Sequence, residues 1–355
     1  MTGTDHPSHV GIVGLTPAGF EFSNQLVALG HEISGADAKV DARRRFENEF
    51  AGATYSTPVE LFDDGVDAVL VTAPNKFHES AVVSAFERDL PVLIEKPLAH
   101  TLESARRILT AAETSEAPGM VTFNHKYLHR SRVLKDYIDQ GYFGQISHIH
   151  GRHISRRNIP SRGSWMTSQD IAGGGALYDR GTFVVDFVLS LLDYRGTSEV
   201  VGRSWRDFGS LDDYAYLEMY GENDTGEISD VDDAAIATLQ FENGCSATIE
   251  IAWAANVKED RSHTYDVRGQ EAGAHLDISN ADEPGNQLEF FEARKGVVDH
   301  FLDLNVRTQH VDSKRCLLRD FLEHARSGTT PDMNTIEQAY RVQEIIAQIQ
   351  EQSGN

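Results

Sequence analysis

The first place in the chain where chemistry is expected is a turn between a short apolar segment and a helix-like segment. It reads Gly-Leu-Thr-Pro-Ala-Gly over residues 14–19. A dinucleotide site needs glycine where the chain turns, where the backbone approaches the pyrophosphate and where the helix packs on the strand. Gly14 and Gly19 meet the first and third needs, but Thr16 stands at the second. The helix start still offers amide donors and a partial positive charge to a phosphate. We therefore predict cofactor contacts at Gly14, Leu15, Thr16 and Ala18.

An acidic residue follows this turn at a suitable distance. Asp37 lies 23 residues after Gly14, at the end of the second predicted strand. A carboxylate there can accept hydrogen bonds from both ribose hydroxyls of an adenosine, and it repels a 2′-phosphate. The sequence thus favours NAD. Arg43, Arg44 and Arg45 lie close enough in sequence to meet a 2′-phosphate, so NADP remains open.

Two polar tripeptides each follow a predicted buried strand. Ala73-Pro74-Asn75 follows residues 67–72, and Glu95-Lys96-Pro97 follows residues 92–94. Because the carboxyl ends of parallel strands form the ligand crevice of a doubly wound sheet, both tripeptides are expected at that edge. Desolvation lowers the pKa of a lysine toward the working range, and a neighbouring acid opposes that shift. A lysine between an acid and a proline, directly after a buried strand, is not readily explained as an ordinary surface residue.

These tripeptides require a sheet to position them. Up to about residue 125, apolar runs alternate with helix-like segments, which is typical of βαβ units and a parallel sheet. After residue 125, segments 234–241 and 246–254 alternate apolar and polar residues, as in an antiparallel sheet with one solvated face. Asn334 and Glu337 resemble a capping box before a final helix. We predict an α/β protein with domains at residues 1–125 and 126–355.

Composition narrows the class of protein. The 355 residues are 40% hydrophobic, and no run approaches the roughly 18–20 apolar residues that cross a bilayer. The first residues lack the features of a signal peptide, and two cysteines cannot build a disulfide framework, so a cytoplasmic protein is expected. The net charge of −23 disfavours binding to nucleic acid. With 24 Arg against 8 Lys and dispersed acids, the surface suits a halophilic source, although an ordinary acidic enzyme has the same traits.

The order of these motifs resembles the Gfo/Idh/MocA oxidoreductases, which are sugar and cyclitol dehydrogenases, reductases and their relatives. The resemblance extends over nearly the whole chain and adds FNHKY at 123–127, FGQI at 143–146 and GGGALYDRGTFVVD at 173–186. It implies an N-terminal Rossmann doubly wound parallel sheet that carries a nicotinamide cofactor. It also implies a C-terminal α/β domain with an open, mostly antiparallel sheet that often forms the oligomer interface, hence a homodimer or homotetramer.

The same resemblance assigns the site residues. Lys96 is the catalytic or substrate-orienting lysine, and Glu95 and Pro97 help to hold the cofactor and its loop. Further cofactor contacts are predicted at Ala73, Pro74, Asn75 and His78. Asn124 and Lys126 fall where the family often has Asn and Arg lining the pocket, and Trp165 either stacks on a sugar face or belongs to the core. Asp179 and Asp186 match the two aspartates of a DxGxHxxD pattern, with Asp179 assigned to catalysis beside Lys96. The predicted substrate contacts are Lys96, Asn124, Lys126, Trp165, Asp179, Phe183 and Asp186.

Phe183 is where the chain departs from that pattern. The family places a histidine, or in some branches a tyrosine, four residues after the first aspartate, and phenylalanine cannot transfer a proton. Three possibilities stay open. Lys96 with Asp179 performs the proton transfer alone; or a displaced group such as Tyr178, His125 or His153 substitutes; or the chain binds cofactor and ligand without turnover, as a regulator.

The leading interpretation is an NAD(P)-dependent oxidoreductase. It would transfer hydride between nicotinamide and a hydroxyl or carbonyl carbon of a sugar, sugar acid, cyclitol or nucleotide-linked sugar. A catalytically impaired sensor and an enzyme that uses tightly held NAD transiently are the alternatives. His148 and His150 share a strand face with His153 nearby, but no acid or cysteine sits at comparable spacing, so no metal is predicted. Ser164 and Ser168 lack the setting of a nucleophile elbow.

Overall fold

The computed structural model describes residues 8–161, 163–208, 229–258, 261–279 and 287–353. The chain forms two compact units, of which unit 1 comprises residues 1–122 and 314–340, and unit 2 comprises residues 123–313 and 341–355. The first crossing between units lies three residues before the boundary expected from the sequence. The return of residues 314–340 to unit 1 was not anticipated, because their helical pattern carries no sign of the sheet they join.

Unit 1 is built on a six-stranded sheet in which every pairing is parallel. The strand order is β3-β2-β1-β4-β5-β6, the order of a dinucleotide-binding doubly wound sheet. The strands are β1 (His9–Val13), β2 (Glu32–Ala36), β3 (Thr54–Tyr55), β4 (Ala68–Val71), β5 (Val92–Ile94) and β6 (Gly119–Val121). All residues of β4 and β5 are buried, which explains why their sequences are uninterrupted apolar runs.

Five helices of unit 1 connect these strands. They are α1 (Pro17–Ala28), α2 (Val40–Phe50), α3 (Pro58–Asp63), α4 (His78–Phe86) and α5 (Leu102–Thr114). Thr101 caps α5, because its side chain accepts a hydrogen bond from the Ser104 amide. The helices hold the sheet so that the strand ends and the loops after them lie at one edge.

Unit 2 contains an eight-stranded sheet of order β14-β13-β12-β11-β7-β10-β9-β8. Only the β7–β10 pair is parallel, and the other described pairs are antiparallel. The strands are β7 (Ile146–Ser155), β8 (Thr197–Trp205), β9 (Ala234–Phe241), β10 (Ser246–Ala252), β11 (Arg261–Gly269), β12 (Ala272–Asp277), β13 (Leu288–Arg294) and β14 (His300–Asn305). The prediction of an α/β protein with a parallel sheet and a mostly antiparallel sheet is confirmed.

The helices of unit 2 include α6 (His129–Asp139), α7 (Gln169–Ala172) and α8 (Thr182–Leu191), the last preceded by a π-helical turn at Leu177–Gly181. The buried Asp232 carboxylate accepts the amides of Gly175 (2.9 Å) and Leu177 (2.8 Å) and so caps this helical segment. A Cβ on Gly175 would lie 1.8 Å from the Asp232 carbonyl oxygen, so only glycine fits. Burial raises the pKa of Asp232 to about 6.

The same cap bears on the acidic segment at residues 221–233, whose composition is typical of a solvated loop. Residues 221–228 lie outside the described residues, but Asp232 and Asp233 are buried and bind backbone amides. Carboxylates in an acidic run therefore serve as helix and loop caps here, because buried amides need acceptors.

Two helices complete the fold, α9 (Ser313–Ser327) and α10 (Ile336–Gln352). The capping box predicted at Asn334 and Glu337 lies one residue later: Thr335 Oγ1 accepts the Gln338 amide (3.1 Å), and Gln338 Oε1 accepts the Thr335 amide (3.2 Å). Asn334 instead adopts φ +63° and its carbonyl accepts the Val121 amide. None of the helices in the described ranges is long and apolar enough to cross a membrane.

Candidate active site

The turn after β1 has the geometry of a phosphate-binding turn. Gly14 has φ +92°, and a Cβ there would lie 2.4 Å from backbone atoms of Ala73. A Cβ on Gly19 would meet the Gly14 carbonyl oxygen at 2.5 Å. Both positions therefore require glycine, one for its dihedral angle and the other for close packing of α1 on the sheet. Ala18, in the first turn of α1, is half-buried.

Thr16 does not disturb this turn. It is the N-cap of α1 with extended dihedral angles (φ −80°, ψ 172°), so its position needs no glycine conformation. Its hydroxyl accepts the Gly19 amide (3.3 Å) and donates to the Thr72 carbonyl (3.0 Å). The absent middle glycine is thus replaced by a capping residue that ties the turn to the end of β4.

Asp37 is tied to the same turn. Its two carboxylate oxygens accept the amides of Leu15 and Lys39, each at 2.8 Å. Arg43 donates through Nη1 to the Asp37 carbonyl oxygen at 2.6 Å. The half-buried carboxylate is therefore held at the carboxyl end of β2, beside the glycine turn, where a ribose can donate to its remaining lone pairs.

The loop after β4 contains the predicted residues Ala73, Pro74 and Asn75. Ala73 is buried beneath Gly14, Pro74 is half-buried, and Asn75 begins a 3-10 turn at residues 75–77. The loop therefore lies at the same sheet edge as the glycine turn, as the sequence predicts.

His78 has a different position from the one expected of a cofactor contact. Its side chain is fully buried, with Nε2 2.7 Å from the Ala73 carbonyl oxygen and Nδ1 3.1 Å from the Pro97 carbonyl oxygen. Burial lowers its pKa. The ring joins the loop after β4 to the loop after β5, so its geometry is that of a support and not of a ligand contact.

Glu95 and Lys96 follow β5 at this edge, and Thr122 at the end of β6 holds them. The Thr122 hydroxyl donates to Glu95 Oε2 (2.6 Å) and accepts the Lys96 amide (3.1 Å). Burial raises the pKa of Glu95, while the Lys96 charge and the Thr122 hydrogen bond oppose that rise. The Lys96–Pro97 peptide bond is cis. Lys96 thus lies in a loop that Thr122 ties to the end of β6, with an acid beside it.

In unit 2, Asp179 and Phe183 are partly exposed on a helical segment that is otherwise buried. Between residues 172 and 189, all within the described ranges, these two side chains alone are half-buried and every other residue is buried. Four residues apart on a helical segment, they lie on one face. The buried Trp253 donates from Nε1 to Asp179 Oδ2 (2.8 Å), which fixes the carboxylate.

Phe183 begins a row of four packed rings. Its ring stacks on His125 with centroids 4.2 Å apart, His125 meets His263 edge-on at 4.8 Å, and His263 stacks on His153 at 3.9 Å. His263 Nε2 lies 2.9 Å from the Tyr265 hydroxyl. Burial, with the nearby charges of His153, His125 and Arg180, places the pKa of His263 well below its ordinary value.

Lys126 and Asp186, both predicted as substrate contacts, are bound to each other in the structure. Their side chains are 5% and 2% exposed and form an ion pair at 2.9 Å. The Tyr194 hydroxyl donates to Asp186 at 2.5 Å and accepts from Lys126 at 2.7 Å. Burial raises the pKa of Asp186 and lowers that of Lys126. A closed triad of this kind holds α8 in place, and its polar atoms are used within the protein.

Asn124 and Trp165 remain candidates for substrate contact. Asn124 is half-buried and donates to Ser313 Oγ (2.7 Å), and Trp165 is half-buried in a 3-10 turn at residues 165–167.

His148 and His150 share a sheet face as expected, but they contact Ser246, Glu250 and Asp266. Within the described residues, no group of three His, Cys, Asp or Glu is placed to hold a metal ion.

Sequence reasoning missed several residues that organise these sites. They are Thr122, Trp253, Asp232 and Tyr194, each of which binds a predicted residue or its helix from a distant part of the chain. No local pattern marks them, since their partners are at least eight residues away in sequence.

Comparison with known proteins defines the class. Residues 8–123 match the family described as oxidoreductase family, NAD-binding Rossmann fold, and residues 131–275 match the GFO/IDH/MocA C-terminal domain. Together with the doubly wound sheet and its glycine turn, these matches define a dinucleotide-dependent oxidoreductase. The chain belongs to the Gfo/Idh/MocA oxidoreductase family. The predicted family and NAD cofactor are thereby confirmed.

Three curated relatives are named dehydrogenases. D-glucoside 3-dehydrogenase of Escherichia coli (strain K12) is 25% identical over 284 residues, 79% of this chain and 75% of the relative. Levoglucosan dehydrogenase of Pseudarthrobacter phenanthrenivorans is 26% identical, covering 68% and 63%. Inositol 2-dehydrogenase of Salmonella typhimurium is 23% identical, covering 90% and 87%. The chain is accordingly an NAD(P)-dependent oxidoreductase of the dehydrogenase type that the sequence predicts.

A solved structure shares the fold over the full length. Levoglucosan dehydrogenase in complex with NADH and levoglucosan superposes with a TM-score of 0.84 at 20% identity, covering 98% of each chain. At this identity the likeness establishes the architecture of the chain.

Proposed function

We propose that the protein is an NAD-dependent dehydrogenase that oxidises a secondary hydroxyl on the ring of a sugar-like substrate. The observation that carries the proposal is the position of Lys96 at the carboxyl edge of a dinucleotide-binding sheet, where Thr122 binds both its backbone amide and the Glu95 carboxylate. The residues there fit the cofactor, because Gly14 and Gly19 clear the backbone and Asp37 supplies the ribose acceptor. When bound, the nicotinamide ring accepts or returns the hydride.

The names of three relatives bear on which hydroxyl of the substrate reacts. A D-glucoside, levoglucosan and inositol share a ring of secondary hydroxyls and lack a free anomeric hydroxyl, and dehydrogenases for all three are relatives of this chain. The names of these three relatives support a ring hydroxyl as the reacting group. The 3-hydroxyl of a D-glucoside is the first position to test.

In this mechanism Lys96 donates a hydrogen bond to the reacting hydroxyl oxygen and polarises it. Asp179, fixed by Trp253, accepts a hydrogen bond from a substrate hydroxyl and orients the ring. Asn124 and Trp165 are proposed as further substrate contacts. Positioning of this kind supplies much of the rate of a hydride transfer.

The direct test measures NADH formation with NAD⁺ and a set of polyols. Methyl glucosides, levoglucosan and myo-inositol are expected to react, whereas D-xylose tests the anomeric alternative. NADH binding is measured separately by fluorescence. Cofactor binding with no turnover on any substrate would reject the proposed reaction.

Phe183 supports a second candidate function. Its half-buried phenyl ring occupies the position where the family pattern has a proton-transferring group, so a sensor that binds cofactor and ligand without turnover is the alternative. Thermal stabilisation by sugar and NADH in the absence of any NADH formation would favour the sensor, because binding alone raises the unfolding temperature.

Thr122→Val is expected to lower kcat by about 10- to 100-fold, since it releases the loop that aims Lys96. The ionised Glu95 carboxylate loses a hydrogen bond, so its pKa rises and the acid limb of the pH profile moves to higher pH. Thr122→Ser keeps the hydroxyl and should restore both kcat and the profile. An unchanged kcat in folded Thr122→Val would reject this positioning role.

Asp37→Asn is expected to reduce the preference for NADH over NADPH at least about tenfold. The substitution removes a charged acceptor, and a hydrogen bond to a charged group is worth about 1.5–3 kcal/mol. It keeps an oxygen for the Leu15 amide of the glycine turn, whereas the exposed Lys39 amide loses its acceptor. Fluorescence titrations of both cofactors measure the ratio, and an unaltered ratio would show that Asp37 does not select the cofactor.

We also propose, from the sequence alone, a cytoplasmic homodimer or homotetramer from a halophilic source. Light scattering of the purified protein measures its mass in solution. Thermal unfolding in low and high salt tests the halophilic source. The unfolding temperature should rise with salt, because salt screens the repulsion within a chain of net charge −23.

A further inference from the structure

We propose that His125 performs the proton transfer that Phe183 cannot. This inference rests on the proposed dehydrogenase function and deepens it by naming the group that takes the hydroxyl proton. It distinguishes among the displaced groups that the sequence left open, Tyr178, His125 and His153.

The first argument is the partial exposure of Asp179 and Phe183. Asp179 and Phe183 are the two half-buried side chains of an otherwise buried helical stretch and lie on one face of it. A substrate oriented by Asp179 therefore lies beside Phe183 as well. The group that replaces the missing acid or base must reach this face.

His125 meets that requirement. It is half-buried like Asp179 and Phe183, and its imidazole stacks on the Phe183 ring with centroids 4.2 Å apart and planes inclined by 30°. The imidazole is thus in direct contact with the phenyl ring that stands at the family's acid–base position. The phenyl supports the imidazole plane without competing for a proton.

Tyr178 is less suitable. Its side chain is buried, its hydroxyl donates to Gln350 Oε1 at 3.3 Å, and burial raises its pKa to about 12. At neutral pH its hydroxyl is protonated and cannot serve as the base.

His153 is also less suitable, because His263 separates it from His125. The His153 ring stacks on His263 at 3.9 Å, at the far end of the row from Phe183. His263 itself is buried, and burial together with the charges of His153, His125 and Arg180 keeps its pKa well below the ordinary value. His263 is therefore neutral, and His125 is the ring of the row that lies against Phe183.

The proton balance is complete. When the alcohol is oxidised, the hydroxyl O–H bond breaks and its proton passes to an imidazole nitrogen of His125. The C–H bond breaks with its electron pair, which leaves as hydride to NAD⁺, and the C=O double bond forms. His125 then releases the proton to water. Lys96 donates a hydrogen bond to the oxygen throughout.

The test compares His125 variants in the full-length protein with a reactive sugar and NAD⁺. His125→Ala is expected to lower kcat about 100-fold, a typical contribution of a general base, with unchanged NADH affinity. Adding Phe183→His to His125→Ala returns a proton-transferring group to the family position and should recover at least about tenfold of the loss. His125→Gln keeps a planar polar group against Phe183, so it separates loss of the base from loss of packing.

His153→Ala is the matched control, since it removes the same ring from the other end of the row and should keep kcat near that of the wild type. Equal losses in His153→Ala and His125→Ala would overturn the inference and show that the row is structural. Wild-type kcat in His125→Ala would overturn it in favour of Lys96 acting alone. A wild-type protein inactive on every sugar would reject the proposed function itself, and the role of His125 with it.

Discussion

Lys96→Met is expected to give a folded protein that binds NADH and has a kcat at least about 100-fold below that of the wild type. Methionine preserves the length and apolar stem of the lysine but lacks the charged donor. The amide of residue 96 still binds Thr122, because this hydrogen bond involves the backbone. The loop is therefore kept, and the loss reports the ammonium group.

Single-turnover measurement of NADH formation, combined with NADH titration, separates chemistry from binding in this variant. Lys258→Met removes an exposed lysine of unit 2 and serves as the matched control with wild-type kcat. Near-normal turnover of Lys96→Met would remove lysine from the mechanism. A loss confined to KM would instead assign Lys96 to substrate binding.

Lys126→Met is expected to lower the free energy of unfolding by about 3–5 kcal/mol, since it leaves the Asp186 carboxylate buried without its cation. The pair is almost completely buried, and Tyr194 can supply only one hydrogen bond to the remaining charge. Urea unfolding monitored by tryptophan fluorescence measures the change.

Two comparisons test the physical cause. Lys126→Met/Asp186→Leu removes both charges and should recover most of the loss, apart from about 1 kcal/mol for the unpaired Tyr194 hydroxyl. Lys135→Met breaks half-exposed pairs with Asp139 and Asp193 and should cost at most about 1 kcal/mol. If Lys126→Met is no more costly than Lys135→Met, the triad does not stabilise unit 2.

The sheets were predictable because their signals are local. The bounds of β5 and β9 follow directly from an apolar run and from alternation of apolar and polar residues. Gly14 and Gly19 identify the turn in the sequence, because the dihedral angle at the first position and the close packing at the second both require glycine. The capping box of α10 was misplaced by one residue, since Asn334 and Thr335 both suit a cap and the buried backbone contact to β6 decides between them.

The chemistry of the site was only partly predictable. Motifs predict Lys96 and Asp179 as catalytic residues, but the groups that bind their loop and carboxylate, Thr122 and Trp253, come from distant segments. Lys126 and Asp186 fit the family pattern yet pair with each other, which depends on a tyrosine that no motif marks. Resemblance assigns positions, whereas burial decides whether a polar side chain faces a ligand or another side chain.

The return of residues 314–340 to unit 1 bears on how the protein can be dissected. Met120 of the edge strand β6 bridges to Thr335, and the Val121 amide donates to the Asn334 carbonyl, so the late segment covers that edge. A fragment ending at residue 122 would expose unpaired backbone groups of a kind that invites aggregation. Chimeras that graft this nucleotide-binding half onto a relative must therefore transplant two separate stretches of gene, the second encoding α9 and the start of α10.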